Sequence, residues 1–154
     1  MRVFRIAAAQ FIRSRKEAFN GQGGLQASAR WHTAGRAVVY AAQSLSLAAL
    51  EILVRLKQTT DLQPFRYFVL QIPDEFILMP ASFPARWQSD HRVSRAFGDA
   101  WLAAGDRPVL RVPSLITPGE WNFLLSPLHR DFTLKWVIAG PSLYRPDHGR
   151  LEQN

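Results

Sequence analysis

The sequence predicts a single compact α+β domain of small mixed or antiparallel sheets with a few helices, and three observations favour this class. The chain has 154 residues, 47% hydrophobic and 12% aromatic, which suits one domain with a buried core. Short β-branched and aromatic runs occur along most of the chain, whereas two segments show helical spacing of apolar residues. The sequence contains no repeat, low-complexity run or linker. We therefore expect one domain over residues 1–154, with about 141–154 as a C-terminal tail.

The strands are predicted from alternating or β-branched runs bounded by turn residues. The first covers residues 2–7 and precedes a polar, glycine-rich stretch over 14–35 that predicts a long loop. A Pro73–Asp74 turn separates two of the later strands. These later strands are predicted over residues 36–42, 65–72, 76–79, 109–116 and 132–139.

Two helices are predicted from their capping residues and apolar spacing. Ser44 stands where an N-cap belongs, and an apolar segment follows to about Lys57. Its apolar side chains cover almost the whole circumference, so we expect this helix to be largely buried. Ser89 or Asp90 can cap the second helix, and Gly105 is a natural stop.

The first helix carries a carboxylate, Glu51, in a narrow polar strip beside Arg55. One interpretation is an (i, i+4) ion pair on an exposed edge, worth about 0.2–0.5 kcal/mol. The other is that Glu51 faces a cleft, since a carboxylate between apolar neighbours is costly unless it is paired or hydrated. The residues alone leave both interpretations open.

Composition restricts the classes of function. The formal net charge of +7, carried mainly by arginine, favours an anionic partner such as nucleic acid, a phosphorylated ligand or an acidic protein. The absence of cysteine excludes a disulfide framework and thiolate zinc sites, and it fits a reducing cytoplasm. The longest mainly apolar stretch, around 37–56, is interrupted by polar residues, so no membrane span is expected.

Common catalytic and cofactor motifs do not occur. The GQGG run at 21–24 does not continue as a dinucleotide-binding fingerprint, and no phosphate-binding GK[ST] exists. The four histidines are isolated, without the spacing of metal ligands, so no metal site is expected. Serines lack the G-x-S-x-G surroundings of a hydrolase nucleophile.

Several motifs, taken in order, resemble those of one family. VFRI near the start, ARWHTAGRAVVYAAQSLSLAALE in the first half and FGDAWLAAGDRPVLRVPSLITPGEWNFLLSPLHRDF in the second resemble the RES-domain family, named for its Arg, Glu and Ser. Members of this family are toxins of bacterial toxin–antitoxin pairs. The resemblance implies a fold like that of ADP-ribosyltransferases, in which small sheets and a few helices surround a cleft.

The resemblance also assigns site residues by position. The family's Arg falls on Arg30, its Tyr on Tyr40, its Glu on Glu51 and its Ser on Ser114, while Asn122 matches a further polar position. It implies that the carboxylate stabilises a positively charged ribose and that the guanidinium binds phosphate. It further implies that the phenol stacks on the ligand, and that the serine offers a hydroxyl to the amide or ribose.

Three positions depart from the family pattern, and one further residue is left open. Ala29 stands where glycine is usual, His32 where asparagine is frequent, and Ser126 where an asparagine precedes proline. The four core residues are intact, so the resemblance implies an active member. The sequence does not say whether Arg5, in the first strand, reaches the cleft.

The activity implied by the resemblance is cleavage of NAD at the nicotinamide–ribose bond by phosphorolysis or hydrolysis. NAD is then a substrate, inorganic phosphate is the co-substrate of the phosphorolytic case, and no metal is needed. The implied setting is a cytoplasmic hetero-oligomer with an Xre-type helix-turn-helix antitoxin, through which alone DNA is contacted. Two alternatives stay open: mono-ADP-ribosylation of a protein, and a basic module that binds nucleic acid.

Overall fold

The computed structural model describes residues 1–55 and 64–144. The strands are β1 (Arg2–Ala8), β2 (Val39–Ala42), β3 (Phe65–Gln71), β4 (Ile77–Leu78), β5 (Val109–Pro113), β6 (Trp121–Leu125) and β7 (Val137–Tyr144). The α-helices are α1 (Arg15–Ala18), α2 (Gln22–Gln26), α3 (Leu45–Leu53) and α4 (His91–Ala104). Short 3₁₀ turns cover Ala9–Phe11, Asp74–Phe76 and Leu134–Trp136.

The strands form one seven-stranded mixed sheet in the order β4-β5-β6-β2-β1-β3-β7. Only the pairing of β4 with β5 is parallel, and the other pairings within the described residues are antiparallel. The α+β class expected from the sequence is confirmed. α3 packs against β1 and β2, near the middle of the sheet.

The central strand β6 was missed by the sequence analysis. It lies between β2 and β5, and Leu124 and Leu125 in it are fully buried. A strand buried on both faces lacks the polar–apolar alternation that marks a half-exposed strand, so periodicity gives no signal. Its register pairs Asn122 with Ala42 and with Val112, which brings Asn122 to the strands that surround the cleft.

The last strand lies further along the chain than predicted. Residues Leu134–Trp136 form a 3₁₀ turn, and β7 begins only at Val137. It then pairs with β3 as far as Tyr144, so residues 141–144 are sheet and not the tail that was expected. Long-range pairing to β3, which local composition does not encode, sets this boundary. The remaining predicted tail, 145–154, lies outside the described residues.

The predicted long loop over 14–35 contains the short helices α1 and α2. Glycine content argued against a helix here, but α2 needs glycine for packing: a Cβ at Gly24 would collide with the carbonyl oxygen of Arg36. Gly21, before α2, adopts a φ of +73°, which glycine tolerates without strain. The prediction of a loop was therefore wrong for the residues of α1 and α2.

Helix α3 begins as predicted, with the Ser44 hydroxyl accepting from the Leu47 N–H. It ends at Leu53, and the predicted end near Lys57 lies outside the described residues. The expectation that this helix would be largely buried was wrong. Leu50 and Leu53 are each 38% exposed, because α3 packs against β1 and β2 and leaves these side chains at the surface.

Helix α4 matches the prediction at both ends. The Asp90 side chain caps its first turn by accepting from the Arg92 N–H, and Gly105 ends it in a left-handed conformation. Within residues 1–55 and 64–144, no helix is long and apolar enough to cross a membrane.

Candidate active site

A cleft of about 970 Å³ opens between β1, α2, β2, α3 and the first turns of α4. This volume is in the range of small-molecule and cofactor sites. Four of the predicted site residues line it: Arg30, Tyr40, Glu51 and Asn122. Ser114 does not line the cleft, but its hydroxyl donates a hydrogen bond to the Glu51 carboxylate.

Hydrogen bonds from two other chain segments hold the Glu51 carboxylate in place. Its Oε1 accepts from Asn122 Nδ2 at 2.6 Å and from Ser114 Oγ at 3.2 Å. Its side chain is 18% exposed, so it is largely shielded yet reaches the cleft. Because two donors fix one oxygen, the carboxylate is oriented before any ligand arrives.

Ser114 serves the carboxylate and the backbone in this structure. It is 4% exposed and follows β5 directly. Its hydroxyl donates its one hydrogen to Glu51 and accepts from the N–H groups of Ile116 and Thr117. The hydroxyl that the resemblance offered to a ligand therefore points at Glu51, because the turn after β5 directs it away from the cleft.

The ion pair considered for Glu51 is also present. Arg55 Nη2 lies 3.6 Å from Glu51 Oε2, and the Arg55 side chain is 63% exposed. An exposed pair of this length contributes little to stability. Both interpretations of Glu51 thus describe parts of one arrangement, since Oε1 is bound by Asn122 and Ser114 while Oε2 faces Arg55.

Arg30 is held by the segment that leads into α4. Its Nη1 donates to the carbonyls of Trp87 at 3.3 Å and Gln88 at 3.1 Å, and its Nη2 lies 3.3 Å from His91 Nε2. The Nε–H and a second Nη2 hydrogen have no acceptor within the described residues. Burial lowers the pKa of Arg30, Glu51 opposes this, and the nearby Arg95 reinforces it.

The backbone on either side of Arg30 is fixed by α4, which the sequence analysis did not foresee. Ser94 Oγ donates to the Arg30 carbonyl at 2.6 Å, and Arg95 Nε donates to the Ala29 carbonyl at 2.7 Å. Gly98 touches the Trp31 carbonyl, where a Cβ would collide. Ser94 and Gly98 could have been noticed as small residues one turn apart on a helix face.

The Tyr40 hydroxyl both donates and accepts a hydrogen bond within the protein. The His32 Nε2 faces the Ala27 carbonyl at 2.9 Å and so carries the hydrogen, which leaves Nδ1 to accept from the Tyr40 hydroxyl at 2.9 Å. The same hydroxyl accepts from the Trp31 N–H at 3.3 Å. Burial raises the pKa of Tyr40. The phenol therefore stays neutral and rigid, with its ring in the cleft wall.

Comparison with known proteins identifies the family. The RES-domain model matches residues 2–147, almost the whole chain. The chain belongs to the RES-domain family. Among its relatives are proteins named Toxin Res from Yersinia enterocolitica, 34% identical over 86% of this chain and 88% of the relative, and from Pseudomonas putida, 39% identical over 71% and 78%.

Two further similarities add detail to this RES domain. A Sphingobium protein named Prs ADP-ribosylating toxin is 38% identical over 73% of this chain and 74% of its own length. A solved structure of the MbcT–MbcA toxin–antitoxin complex of M. tuberculosis contains a chain that matches with a TM-score of 0.61. That match has 14% identity and covers 94% of this chain and 80% of the other, and at this identity it shows a shared fold.

The three departures from the RES pattern fit the structure without disturbing the cleft. The backbone at Ala29 does not adopt a positive φ, so glycine is not required there. His32 bridges Tyr40 and the Ala27 carbonyl. Ser126 lies in the turn after β6, where its N–H donates to the Pro108 carbonyl, and it does not line the cleft. Within residues 1–55 and 64–144, no group of three or more His, Cys, Asp or Glu side chains could hold a metal.

We expect Ser114→Ala to lower the free energy of unfolding by about 1–3 kcal/mol. The change removes a buried hydroxyl that donates to Glu51 and accepts from two backbone N–H groups, which are then left without that partner. Urea denaturation measures the effect. Ser126→Ala is the matched control, since no hydrogen bond of its hydroxyl occurs within the described residues. Equal stability of both variants would contradict this assignment.

We expect the stability that His32 confers in this RES domain to fall on acidification. Burial lowers the pKa of His32 below its ordinary value of 6.5, so the unfolded chain takes up this proton at a higher pH than the folded chain does. The contribution is complete above pH 6.5 and decreases below it. Urea denaturation of the wild type and of His32→Asn, from neutral to acidic pH, isolates the effect. A stability difference that does not vary with pH would contradict it.

Proposed function

We propose that this RES domain is the toxin of a toxin–antitoxin pair and cleaves NAD at the nicotinamide–ribose bond, by phosphorolysis or hydrolysis. The reaction would take place in the cytoplasm, and the depletion of NAD would arrest growth. The observation that carries the proposal is the fixed Glu51 carboxylate facing a cleft that Arg30 also lines. The names of the relatives, which include Toxin Res and an ADP-ribosylating toxin, support it.

Glu51 has the position and the charge for the chemical step. As the ribose carbon–nitrogen bond breaks, its electron pair moves to the nicotinamide nitrogen, which leaves neutral and needs no acid. The ribose becomes a cation until an oxygen of phosphate, or of a water that then releases a proton to the solvent, bonds to the same carbon. A carboxylate held by Asn122 and Ser114 stabilises that cation without first having to reorient.

Arg30 and Tyr40 have binding roles in this proposal. The Arg30 donors not used by the protein suit phosphate oxygens, since a guanidinium presents its N–H groups in a planar fork. The Tyr40 ring, fixed by His32 and Trp31, offers a flat surface to the nicotinamide or ribose. Asn122 lines the cleft beside Glu51, so the part of its amide group that does not bind Glu51 is available to the ligand.

Transfer of ADP-ribose to a protein is a second candidate, favoured by one observation. The Sphingobium relative is named as an ADP-ribosylating toxin. The bond broken is the same in both reactions, and only the acceptor differs.

The nucleic-acid-binding alternative is less well supported by the position of the positive charge. Part of that charge lies in a concave site, which suits a small anion better than a nucleic-acid helix. The cleft wall contains four arginines: Arg5, Arg30, Arg55 and Arg95.

The proposed partner is an antitoxin of the Xre helix-turn-helix type, and the toxin contacts DNA only through this antitoxin. The similar MbcT fold was solved in a toxin–antitoxin complex. An acidic partner would complement the net charge of +7. Copurification with the product of the neighbouring gene tests this hetero-oligomer, and a purified chain that never retains that product speaks against it.

The activity is tested by incubating the purified chain with NAD, with and without inorganic phosphate, and measuring free nicotinamide. Hydrolysis yields ADP-ribose in either buffer. Phosphorolysis needs phosphate and yields ADP-ribose with an added phosphate on the ribose carbon that carried nicotinamide. Labelled NAD that becomes attached to a protein identifies the transferase reaction. Intact NAD in every condition, with a folded chain, would overturn the proposal.

A further inference from the structure

Phe11 is an aromatic residue of the cleft wall that the proposed function does not use. Its side chain lines the cleft and is 64% exposed, although it is a large apolar group. Every other aromatic residue in the ranges 1–55 and 64–144 is buried or half-buried. A single exposed apolar residue is common on a convex surface, but this one lies in the wall of a concave site.

The ring of Phe11 is free to contact a ligand. It forms no pair with another aromatic ring in the part of the chain that the structure describes. Its exposed surface belongs to the cleft, so a planar group that enters there removes that surface from water. Aromatic rings pack favourably against other planar rings in an offset stack.

Phe11 lies at the opposite end of the cleft from Glu51. The pairing of β1 with β2 consists of one residue pair, Phe4 with Ala42, and residues of both strands beyond this pair line the cleft. Glu51 is at the paired end, because Asn122, which binds its carboxylate, is the register partner of Ala42. The rest of β1 extends about 13 Å beyond Phe4, and Phe11 ends the 3₁₀ turn after it.

The segment that carries Phe11 is fixed beside α1. Ile12, the next residue, is 1% exposed and packs in the same buried cluster as Phe19. The N–H of Arg13 donates to the Glu17 carboxylate at 2.8 Å, and the Arg13 guanidinium pairs with that carboxylate at 3.0 Å. The ring is therefore held next to the residues that follow α1, and the Glu17 charge is already balanced by a cation.

Side-chain amides line the cleft next to this segment. Asn20 Oδ1 accepts from the Gln22 N–H at 2.9 Å, which leaves the Asn20 Nδ2 group to donate. The side-chain amides of Gln22 and Gln26 form no hydrogen bond with another described residue. A Cβ at Gly23 would meet no atom within 4 Å, so there is space in front of α2. These neutral groups suit the edge of a nitrogen heterocycle, which carries donors and acceptors, better than a phosphate.

We propose that Phe11 is the stacking platform of a subsite for a nucleobase, and that the adenine of the dinucleotide binds there. The ring of Phe11 lies against one face of the base, and the amides of Asn20 and Gln22 bond to its edge. The nicotinamide then lies at the other end of the cleft, where Glu51 is. The identity of the base as the adenine of NAD rests on the proposed function, whereas the base subsite itself does not.

Calorimetric titration with AMP and with ribose 5-phosphate tests the subsite without any turnover, because the base is present in the first probe and missing in the second. We expect the wild type to bind AMP about 10- to 100-fold more tightly, which is the usual effect of stacking a base on an aromatic side chain. Phe11→Leu keeps an apolar side chain but removes the ring, and it should lose most of this preference. A wild type without a preference for AMP, or unchanged AMP affinity in Phe11→Leu, overturns the proposal.

Phe11→Trp and Leu128→Ala are the matched variants. Phe11→Trp keeps an aromatic face and should retain the affinity for AMP. Leu128 is 82% exposed and does not line the cleft, so Leu128→Ala should leave AMP binding unchanged. Both positions are exposed, and the melting temperatures should therefore stay close to that of the wild type. A loss in Phe11→Trp or in Leu128→Ala as large as that in Phe11→Leu would defeat the assignment.

NMR of the wild type locates the base without any variant. AMP should shift the ring resonances of Phe11 and the side-chain amides of Asn20 and Gln22, whereas ribose 5-phosphate should not. Shifts confined to the neighbourhood of Tyr40 would place the base at the other end of the cleft and overturn the subsite.

Nicotinamide mononucleotide, which lacks the adenosine half of NAD, separates failure of the subsite from failure of the proposed function. If adenine binds at Phe11, Phe11→Leu raises the KM for NAD about 10- to 100-fold with little change in kcat, and leaves the cleavage of nicotinamide mononucleotide unaffected. An equal rise in KM for both substrates contradicts the base subsite. A wild type that binds AMP through Phe11 yet never cleaves NAD refutes the proposed function and retains the subsite.

Discussion

Replacing Glu51 by glutamine is expected to lower the rate of nicotinamide release about 100- to 1,000-fold. The amide keeps the size of the side chain and an oxygen that can still accept from Asn122 and Ser114, so the fold and the cleft stay intact. What is lost is the negative charge at the place where the ribose becomes positive in the proposed reaction. The measurement is kcat with saturating NAD, together with the KM.

The expected result is a fall in kcat with little change in KM, because the interaction is made in the transition state and not with the bound substrate. The stability of the variant should change by less than about 1 kcal/mol, since the lost pair with the exposed Arg55 is weak. Glu75→Gln, an exposed carboxylate outside the cleft, is the control. Turnover equal to that of the wild type would show that Glu51 has no electrostatic role.

Arg30→Lys is expected to lower kcat/KM for NAD about 10- to 100-fold. Lysine keeps the charge but lacks the planar fork, so it cannot contact Trp87, Gln88 and a phosphate together. The loss should appear mainly as a higher KM, in contrast to Glu51→Gln. The measurement is the NAD dependence of nicotinamide release.

Arg92→Lys provides the comparison for that experiment. Arg92 is an exposed arginine of α4, paired with Asp90, and does not line the cleft. Its replacement should leave both kinetic constants unchanged. If Arg30→Lys behaves like Arg92→Lys, the fork of Arg30 makes no contact with the substrate, and its contacts with the segment before α4 are structural only.

The helix ends could be predicted from the sequence because they depend on neighbours a few residues apart. Ser44 and Asp90 cap their helices by accepting hydrogen bonds from N–H groups two or three residues ahead, and Gly105 supplies the left-handed stop. The strand β6 and the end of β7 could not be predicted in this way. Both are set by pairing with distant strands, which local composition does not encode.

The sequence named a set of candidate site residues but could not give their arrangement. Arg30, Tyr40, Glu51 and Asn122 were identified from the order of the motifs, and the structure places them around one cleft. The direction of the Ser114 hydroxyl, toward Glu51 rather than into the cleft, depends on the turn after β5. Side-chain direction follows from packing between segments, and a linear pattern does not contain it.

The amino-acid sequence alone determined the α+β class, the family and the identity of the acidic, basic and aromatic groups available for chemistry. The tertiary structure decided which of them meet: Asn122 and Ser114 close on Glu51, and Arg5 enters the cleft beside Tyr40. The physical reason is the difference in sequence separation between local and tertiary interactions. Propensity and capping act within a few residues. Strand pairing instead joins distant residues such as Asn122 and Ala42, and the packing of α3 on the sheet brings Glu51 to Asn122, 71 positions away.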